Sequence, residues 1–320
     1  MNIVCATDDN FVQHCCIMLT SLLVNNRDVQ IYVLTEGLTP DNQKIIREEV
    51  TDKGGRVEIC IVDSSIVEKF PMPKENGVSH ISRATYYRLL MAELLPSTLE
   101  KVIYLDCDII INDSIEDLWN VNIDNYAIAA SLQVGYGYEA IRLGYPIEYG
   151  YFNAGVNIVN LKYWRDNNVR DSLMAYIAEN SDSIKYHDQD TLNAVLFDKC
   201  YHIMPQWNMT SLAYSLFLAS RGDSRFGKII NTYQEEKKNI KANRWSPIVL
   251  HYVSKPKPWN DGCVHPLYML YYKYARKTLH FSDIEPQNDF KRKIMMLKDY
   301  LRQLLSYFKQ MIHKTDPTRL

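Results

Sequence analysis

Asp106 and Asp108 stand one residue apart at the end of an apolar, β-branched run, KVIYLDCDIII, over residues 101–111. On extended backbone, residues i and i+2 share a face, so the two carboxylates lie ~6 to 7 Å apart with Cys107 turned away. At ~6 Å and an effective dielectric of about 20, their repulsion is roughly 3 kcal/mol, on the order of two pKa units on one of them. A divalent cation converts that cost into a ligand set. An arbitrary D-x-D more often caps a turn, but here a strand delivers the acids to its carboxyl end, where open α/β sheets bind ligands. Far along the chain a second strand-like run, SPIVLHYV, ends in HYVSKPKPW, with His251 at its tip and Lys257 beyond. Two hard carboxylates and one imidazole suit Mn²⁺ or Mg²⁺ and leave positions open for a substrate's oxygens. Taken singly, His251 reads equally as a structural histidine and Lys257 as a solvated loop lysine.

The elements that must position these residues follow from pattern. Strand NIVCAT, helix FVQHCCIMLTSLLVNN, strand QIYVLTEG, a helix from Pro40 to about Thr51 and strand RVEICIVD give βαβαβ with a parallel sheet. Right-handed crossovers place the first strand centrally, its end at Asp8-Asp9-Asn10 opening onto the same edge as Asp106 and Asp108. SRATYYRLLMAELL reads as a helix, and VGYGYEAIRLGYPIEYGYFNAG as an aromatic, glycine-punctuated lid. Strand VNIVNL, helix YWRDNNVRDSLMAYIAEN and helix DQDTLNAVLF precede the late strand. Neither a G-x-G-x-x-G nor a P-loop pattern is present, so a phosphate ligand has to be held by metal or side chains.

Bulk properties narrow the classes. In 320 residues, seven scattered cysteines without a C-x-x-C pair favour a reducing cytoplasm over a disulfide framework or zinc cluster. The amino end shows no signal-like run, and no apolar stretch is long enough to span a bilayer. Residues 291–320 hold eight Lys/Arg against two Asp, leaving 28 basic and 36 acidic side chains elsewhere. An acidic body with a basic tail excludes general nucleic-acid binding.

Taken together and in order, ATDDNF, HISRATYYRL, YLDCDII, YFNAGVNIVNL, HDQDTLN and HYVSKPKPW resemble family 8 of the retaining, nucleotide-sugar-dependent glycosyltransferases over roughly residues 1–275. Bacterial lipooligosaccharide galactosyl- and glucosyltransferases are the members most similar. The resemblance implies an α/β fold of GT-A type, a Rossmann-like mixed sheet flanked by helices, with residues 1–280 as the catalytic domain. It implies a UDP-hexose donor, an Mn²⁺ (or Mg²⁺) ion on Asp106, Asp108 and His251, and Lys257 on the phosphates. Asp8 and Asn10 match residues on uracil and ribose, with Ala6 and Cys107 in the same donor-binding segments, and Ser254 falls in the phosphate loop. Arg88 matches an arginine near the donor sugar and diphosphate, and Asn153 and Asp188 match groups on the hexose hydroxyls. Gln189 falls at the reacting face of the sugar, its carbonyl beside the oxocarbenium-like centre in a front-face reaction. Asp190 is the alternative nucleophile for double displacement. His80 and Tyr186 match positions facing a saccharide or lipid-linked saccharide acceptor. Gln133, Ser254 and Cys107 depart from the pattern, standing where an acid, a glycine and an alanine are expected.

The tail, residues 281–320, repeats Ile294, Leu297, Leu301, Leu304, Phe308 and Met311 at helical spacing, with Lys298, Arg302 and Lys309 on the other face. Such a basic amphipathic helix docks on the catalytic domain or a second subunit, or holds the enzyme on an anionic membrane surface. The expected location is the cytoplasm, peripheral on the inner face of the membrane. Two rivals share the α/β sheet and paired acids: a sugar nucleotidyltransferase, and a non-catalytic UDP-sugar-binding or membrane-surface adaptor.

Overall fold

The amino-terminal alternation folds as its pattern requires. β1 (Asn2–Ala6), α1 (Val12–Asn25), β2 (Gln30–Thr35), α2 (Pro40–Asp52) and β3 (Arg56–Ile61) form parallel βαβ units, with β1 paired to β2 and β2 to β3. The computed structural model describes residues 1–68, 70, 83–133, 136–214, 234–253, 255–286, 294, 297 and 301. β4 (Lys101–Leu105) lies parallel to β1 on its other side. β7 (Phe152–Asn160), β6 (Ile128–Leu132) and β8 (Cys200–Ile203) extend the sheet to the order β3-β2-β1-β4-β7-β6-β8. β4 and β7 are antiparallel, as are β7 and β6, so the sheet is mixed.

The run 101–111 is not one strand. It stops at Leu105, turns through residues 106–108, and resumes as β5 (Ile109–Ile111) in a second sheet of order β5-β10-β9. Charged side chains are costly inside a sheet buried on both faces, so the strand ends where the acids begin. SPIVLHYV likewise contributes only β10 (Val249–His251), antiparallel to β5 and parallel to β9 (Met209–Thr210). SRATYYRLLMAELL coils as a 3₁₀ helix over Arg83–Leu90 and becomes α-helical only at Met91–Leu94. At three residues per turn, Thr85 and Arg88 share one face, and both reach Asp188. The helix expected after β7 splits at Asn168, which is left-handed at φ 50°. In the stretch expected as a lid, from Tyr136 onward, Tyr145 and Tyr151 are buried and Arg142 holds Asp190 at 2.7 Å, while Tyr138, Ile141, Ile147 and Tyr149 are exposed.

Alternation along the central strands fills two cores. Val4, Val102 and Tyr104 pack into one; Ile3, Cys5, Ile103 and Leu105 pack into the other. α1 is apolar on nearly every side because it sits between layers, Cys15, Met18 and Leu19 joining the second core while Ile17 meets the cluster around β10 and the helix Met269–Ala275. Among the described residues no helix is long and apolar enough to cross a membrane.

Two histidines are built into that third layer. His14 stacks on Trp259 at 3.9 Å and its Nδ1 meets the Tyr271 hydroxyl at 2.7 Å, and burial pushes its pKa down to about 4. His265 packs against Tyr214 and Tyr252, and burial pushes it down to about 3. Both rings are neutral in the native state and take up protons when unfolded below their ordinary pKa of 6.5. The unfolded state then binds more protons, so stability falls as pH drops from 6.5 toward 4, by up to roughly 1.4 kcal/mol per pH unit for each ring. Urea unfolding at a series of pH values checks this. His14→Gln is expected to lose about one proton's share of the slope, and an unchanged slope would mean that the ring is not held neutral.

Candidate active site

Sheet register brings the acids and His251 together. The ladder between β4 and β7 runs one rung past Leu105, with Asp106 N–H donating to Gly155 O at 2.9 Å. The ladder between β5 and β10 likewise runs back, with Tyr252 N–H donating to Asp108 O at 3.0 Å, and His251 pairs with Ile109. Asp106 therefore closes one sheet, Asp108 opens the other, and His251 stands across from them. His251 Nε2 lies 3.1 Å from Asp108 Oδ1 and 3.7 Å from Asp106 Oδ2. The three ligand atoms lie within 4.8 Å of one another, closer than extended backbone predicts, because a turn rather than a strand carries the pair. Cys107 points away, its Sγ donating to Ala6 O at 3.2 Å and so tying the turn to the end of β1. There it joins Cys5 and Cys15 in a buried thiol cluster that spacing along the chain did not reveal.

Two cations balance these acids. Arg88 is 4% exposed and is no surface helix charge: it bridges Asp106 at 2.7 Å and Asp188 at 2.9 Å, with its guanidinium 4.2 Å from the Tyr104 ring centroid. Lys257 pairs with Asp108 at 2.6 Å and also donates to Tyr252 O. Burial acts to raise the Asp108 carboxyl, but Lys257, the largest of the opposing influences, helps hold it well below the usual range. At Asp188 burial prevails over Arg88 and pushes the carboxyl up to about 6.

The donor set fits a hard divalent cation. Asp108 Oδ1 is buried without a hydrogen-bond partner, beside an imidazole nitrogen and a second carboxylate. Gly155 faces the same spot. A Cβ there would lie 2.2 Å from His251 Cε1 and 2.6 Å from Asp106 Oδ2, so the approach is open only to glycine.

The residues expected around the sugar lie next to this centre. Gln189 Oε1 accepts from Asn153 Nδ2 at 3.1 Å and from Ala154 N–H at 3.0 Å. Both donors belong to β7 and fix the direction of the Gln189 carbonyl. Asp190 is fully buried and accepts four hydrogen bonds, from Arg142, the Tyr151 hydroxyl, and the N–H groups of Lys185 and Tyr186. It holds the turn that enters the helix His187–Leu196 through His187 at φ 51°, a conformation that costs a non-glycine residue about 1 kcal/mol. Tyr186 stands beside Tyr136 and Tyr151. Asp8 lies beyond the end of β1, where it accepts from Asn10 N–H at 3.0 Å and caps the turn Asp9–Phe11. Gln133 is buried, with Oε1 lacking a hydrogen-bond partner. Ser254 and His80 lie outside the described residues.

Asn208 was not found from the sequence. It is 3% exposed and joins His251 Nδ1, at 3.0 Å from its Oδ1, to Asn153 Oδ1, at 2.8 Å from its Nδ2. An isolated asparagine carries no motif, and nothing in its local sequence distinguishes it. Gly155 was visible inside YFNAGVNIVNL, but its steric role appears only once β7 is set against Asp106.

The profile of glycosyl transferase family 8 matches residues 2–263. General stress protein A of Bacillus subtilis is 31% identical over 284 residues, covering 87% of this chain and 94% of that protein. The lipopolysaccharide 1,2-glucosyltransferase of Escherichia coli is 25% identical, covering 96% of this chain and 86% of that protein. The lipopolysaccharide 1,3-galactosyltransferase of Salmonella typhimurium is also 25% identical, covering 89% and 81%. Among solved structures, the galactosyltransferase LgtC in complex with donor and acceptor sugar analogs superposes with a TM-score of 0.74 at 24% identity, covering 91% of this chain and all of that one. The fold is that of the GT-A glycosyltransferases, and the match over most of its length makes this chain a member of glycosyl transferase family 8.

Proposed function

We propose that this enzyme transfers glucose or galactose from a UDP-sugar to a hydroxyl of a lipid-linked, lipopolysaccharide-type saccharide, with retention of configuration and dependence on a divalent cation, Mn²⁺ before Mg²⁺. The observation that carries the reading is the convergence of Asp106, Asp108 and His251 around an unpartnered carboxylate oxygen under Gly155. The relatives named as lipopolysaccharide glucosyl- and galactosyltransferases support a hexose donor and that class of acceptor.

When bound, the cation supplies positive charge against the diphosphate leaving group. Lys257 and Arg88 add donors on either side of the acids, in a partly buried cleft where such charges act strongly. Asp8 accepts from the uracil imide, with Asn10 on the ribose and the backbone at Ala6 and Cys107 beside the nucleotide. Asn153 and Asp188 bind the hexose hydroxyls. Gln189 serves as a fixed amide beside the sugar, and retention proceeds by front-face departure and attack. Asp190 is a poor nucleophile because it would first have to give up its four hydrogen bonds. The tail holds the enzyme on the anionic cytoplasmic leaflet. Of its apolar positions, Ile294, Leu297 and Leu301 are described and lie partly exposed, while Leu304, Phe308, Met311, Lys298, Arg302 and Lys309 lie outside the described residues.

Three measurements test this. UDP release from a panel of UDP-sugars is expected with one hexose donor and Mn²⁺, and is expected to vanish with EDTA and in Asp108→Ala. Silence with UDP and Mn²⁺ still bound would favour the adaptor or an absolute acceptor requirement, and pyrophosphate release from UTP and a sugar phosphate would favour the nucleotidyltransferase. Gly155→Ala pushes a methyl into His251 and Asp106, so metal-dependent turnover should fall by roughly 100-fold or more while the circular dichroism spectrum is kept. Deleting residues 291–320 should leave turnover of a soluble acceptor but abolish binding to anionic liposomes, and liposome binding that survives the deletion would dismiss the tail's role.

A further inference from the structure

Three side-chain amides, Gln189, Asn153 and Asn208, and one imidazole form a single hydrogen-bonded chain, and its polarity can be read because Gln189 and Asn153 each accept from a backbone N–H group. Gly155 N–H donates to Asn153 at 2.9 Å. A backbone N–H only donates, so the Asn153 atom it meets is the carbonyl oxygen, and the other amide atom is a nitrogen. That nitrogen donates to Gln189, whose facing atom is independently shown to be oxygen by the Ala154 N–H at 3.0 Å. The two assignments agree. Asn208, 2.8 Å from the same Asn153 oxygen, must present its own nitrogen there and its oxygen to His251 Nδ1 at 3.0 Å. An amide oxygen accepts, so Nδ1 must carry a hydrogen. The lone pair left for a metal is then that of Nε2, the nitrogen that faces Asp108 and Asp106.

We propose that Asn208 is a positioning residue: it transmits the polarity of the β7 backbone through Asn153 to His251, fixing Nδ1 as the protonated nitrogen and Nε2 as the one turned to the two carboxylates. The inference deepens the metal-dependent reading above and rests on it for its consequence. Reversing Asn208 would set its oxygen against the Asn153 oxygen and its nitrogen against an Nδ1–H. Both contacts would become repulsive in a site where Asn153, Asn208 and His251 are each buried. Because Asn153 also holds Gln189, the same chain couples the orientation of the metal ligand to that of the amide beside the sugar. Groups that orient a ligand imidazole in this way contribute ten- to a hundredfold to metal affinity.

The test uses the full chain with two readouts. Selective ¹⁵N labelling of histidine, with His251 assigned by His251→Gln, reports the protonated ring nitrogen in metal-free protein at alkaline pH. Calorimetry with UDP present reports Mn²⁺ affinity. In the wild type Nδ1 is expected to be protonated. Asn208→Ala should lose that preference and weaken Mn²⁺ by roughly ten- to a hundredfold. Asn208→Asp restores an acceptor to Nδ1 but not a donor to Asn153, so it should recover the Nδ1 signal and metal affinity while kcat stays low. An Nε2-protonated ring in the wild type would overturn the proposal, and so would an Nδ1 signal and Mn²⁺ affinity unmoved in Asn208→Ala. If the wild type binds no Mn²⁺ with UDP, the metal reading itself fails, and the nitrogen signals alone decide the role of Asn208.

Discussion

Three carboxylates, Asp106, Asp108 and Asp188, are gathered in a partly buried cleft, and two cations hold them there. This balance is the constraint on which the site depends. Removing one partner of a buried pair leaves an uncompensated charge and costs on the order of 3–5 kcal/mol, so neither Arg88 nor Lys257 is interchangeable with an apolar residue. The fold bends to satisfy this need. The 3₁₀ coil at Arg83–Leu90 aligns Thr85 and Arg88 on Asp188. The turn at 106–108 lets one acid end the large sheet and the other begin the small one.

Position and orientation are set by different physics. Register fixes where Asp106, Asp108 and His251 stand, because a slip of one residue would turn each side chain to the opposite face. Register does not say which nitrogen of an imidazole carries hydrogen or which end of an amide faces a neighbour. Backbone N–H groups at Ala154 and Gly155 decide the amide ends, and their influence reaches His251 only through a chain of buried side chains. His251 and the Gln189 amide thus share one rigid support.

Much of this was legible before the structure. Period-two and helical patterning located the strands and helices of the amino-terminal half, including the central place of β1, because each element is long and its apolar positions are regular. The motifs carried the family and the three residues, Asp106, Asp108 and His251, that converge in the cleft. What escaped has a common cause: it depends on contacts distant in sequence. The break of KVIYLDCDIII into two sheets cannot be read from a run that is apolar on both sides of the acids. Arg88 looks like a surface charge in a helical window, since only Asp106 and Asp188, 18 and 100 residues away, reveal its burial. Asp190 beside Gln189 invites a chemical role, and the four hydrogen bonds that it accepts, from residues 142 to 186, are not visible in its local sequence.

Gly155 shows how closely these constraints overlap. Its carbonyl holds the Asp106 N–H at 2.9 Å and so extends the sheet to the first acid. Its own N–H, at 2.9 Å from Asn153, starts the amide chain that ends on His251. Its missing Cβ leaves the space in which His251 and Asp106 meet. The first two contributions belong to the backbone and survive any replacement that keeps β7 in register, whereas the third belongs to glycine alone. Damage from a side chain at 155 therefore enters through steric displacement of His251 and Asp106, with the hydrogen-bond polarity intact. Damage at Asn208 enters through polarity, with the space intact. The two routes converge on the same imidazole, which makes His251 the residue through which the fold of both sheets acts on the chemistry of the cleft.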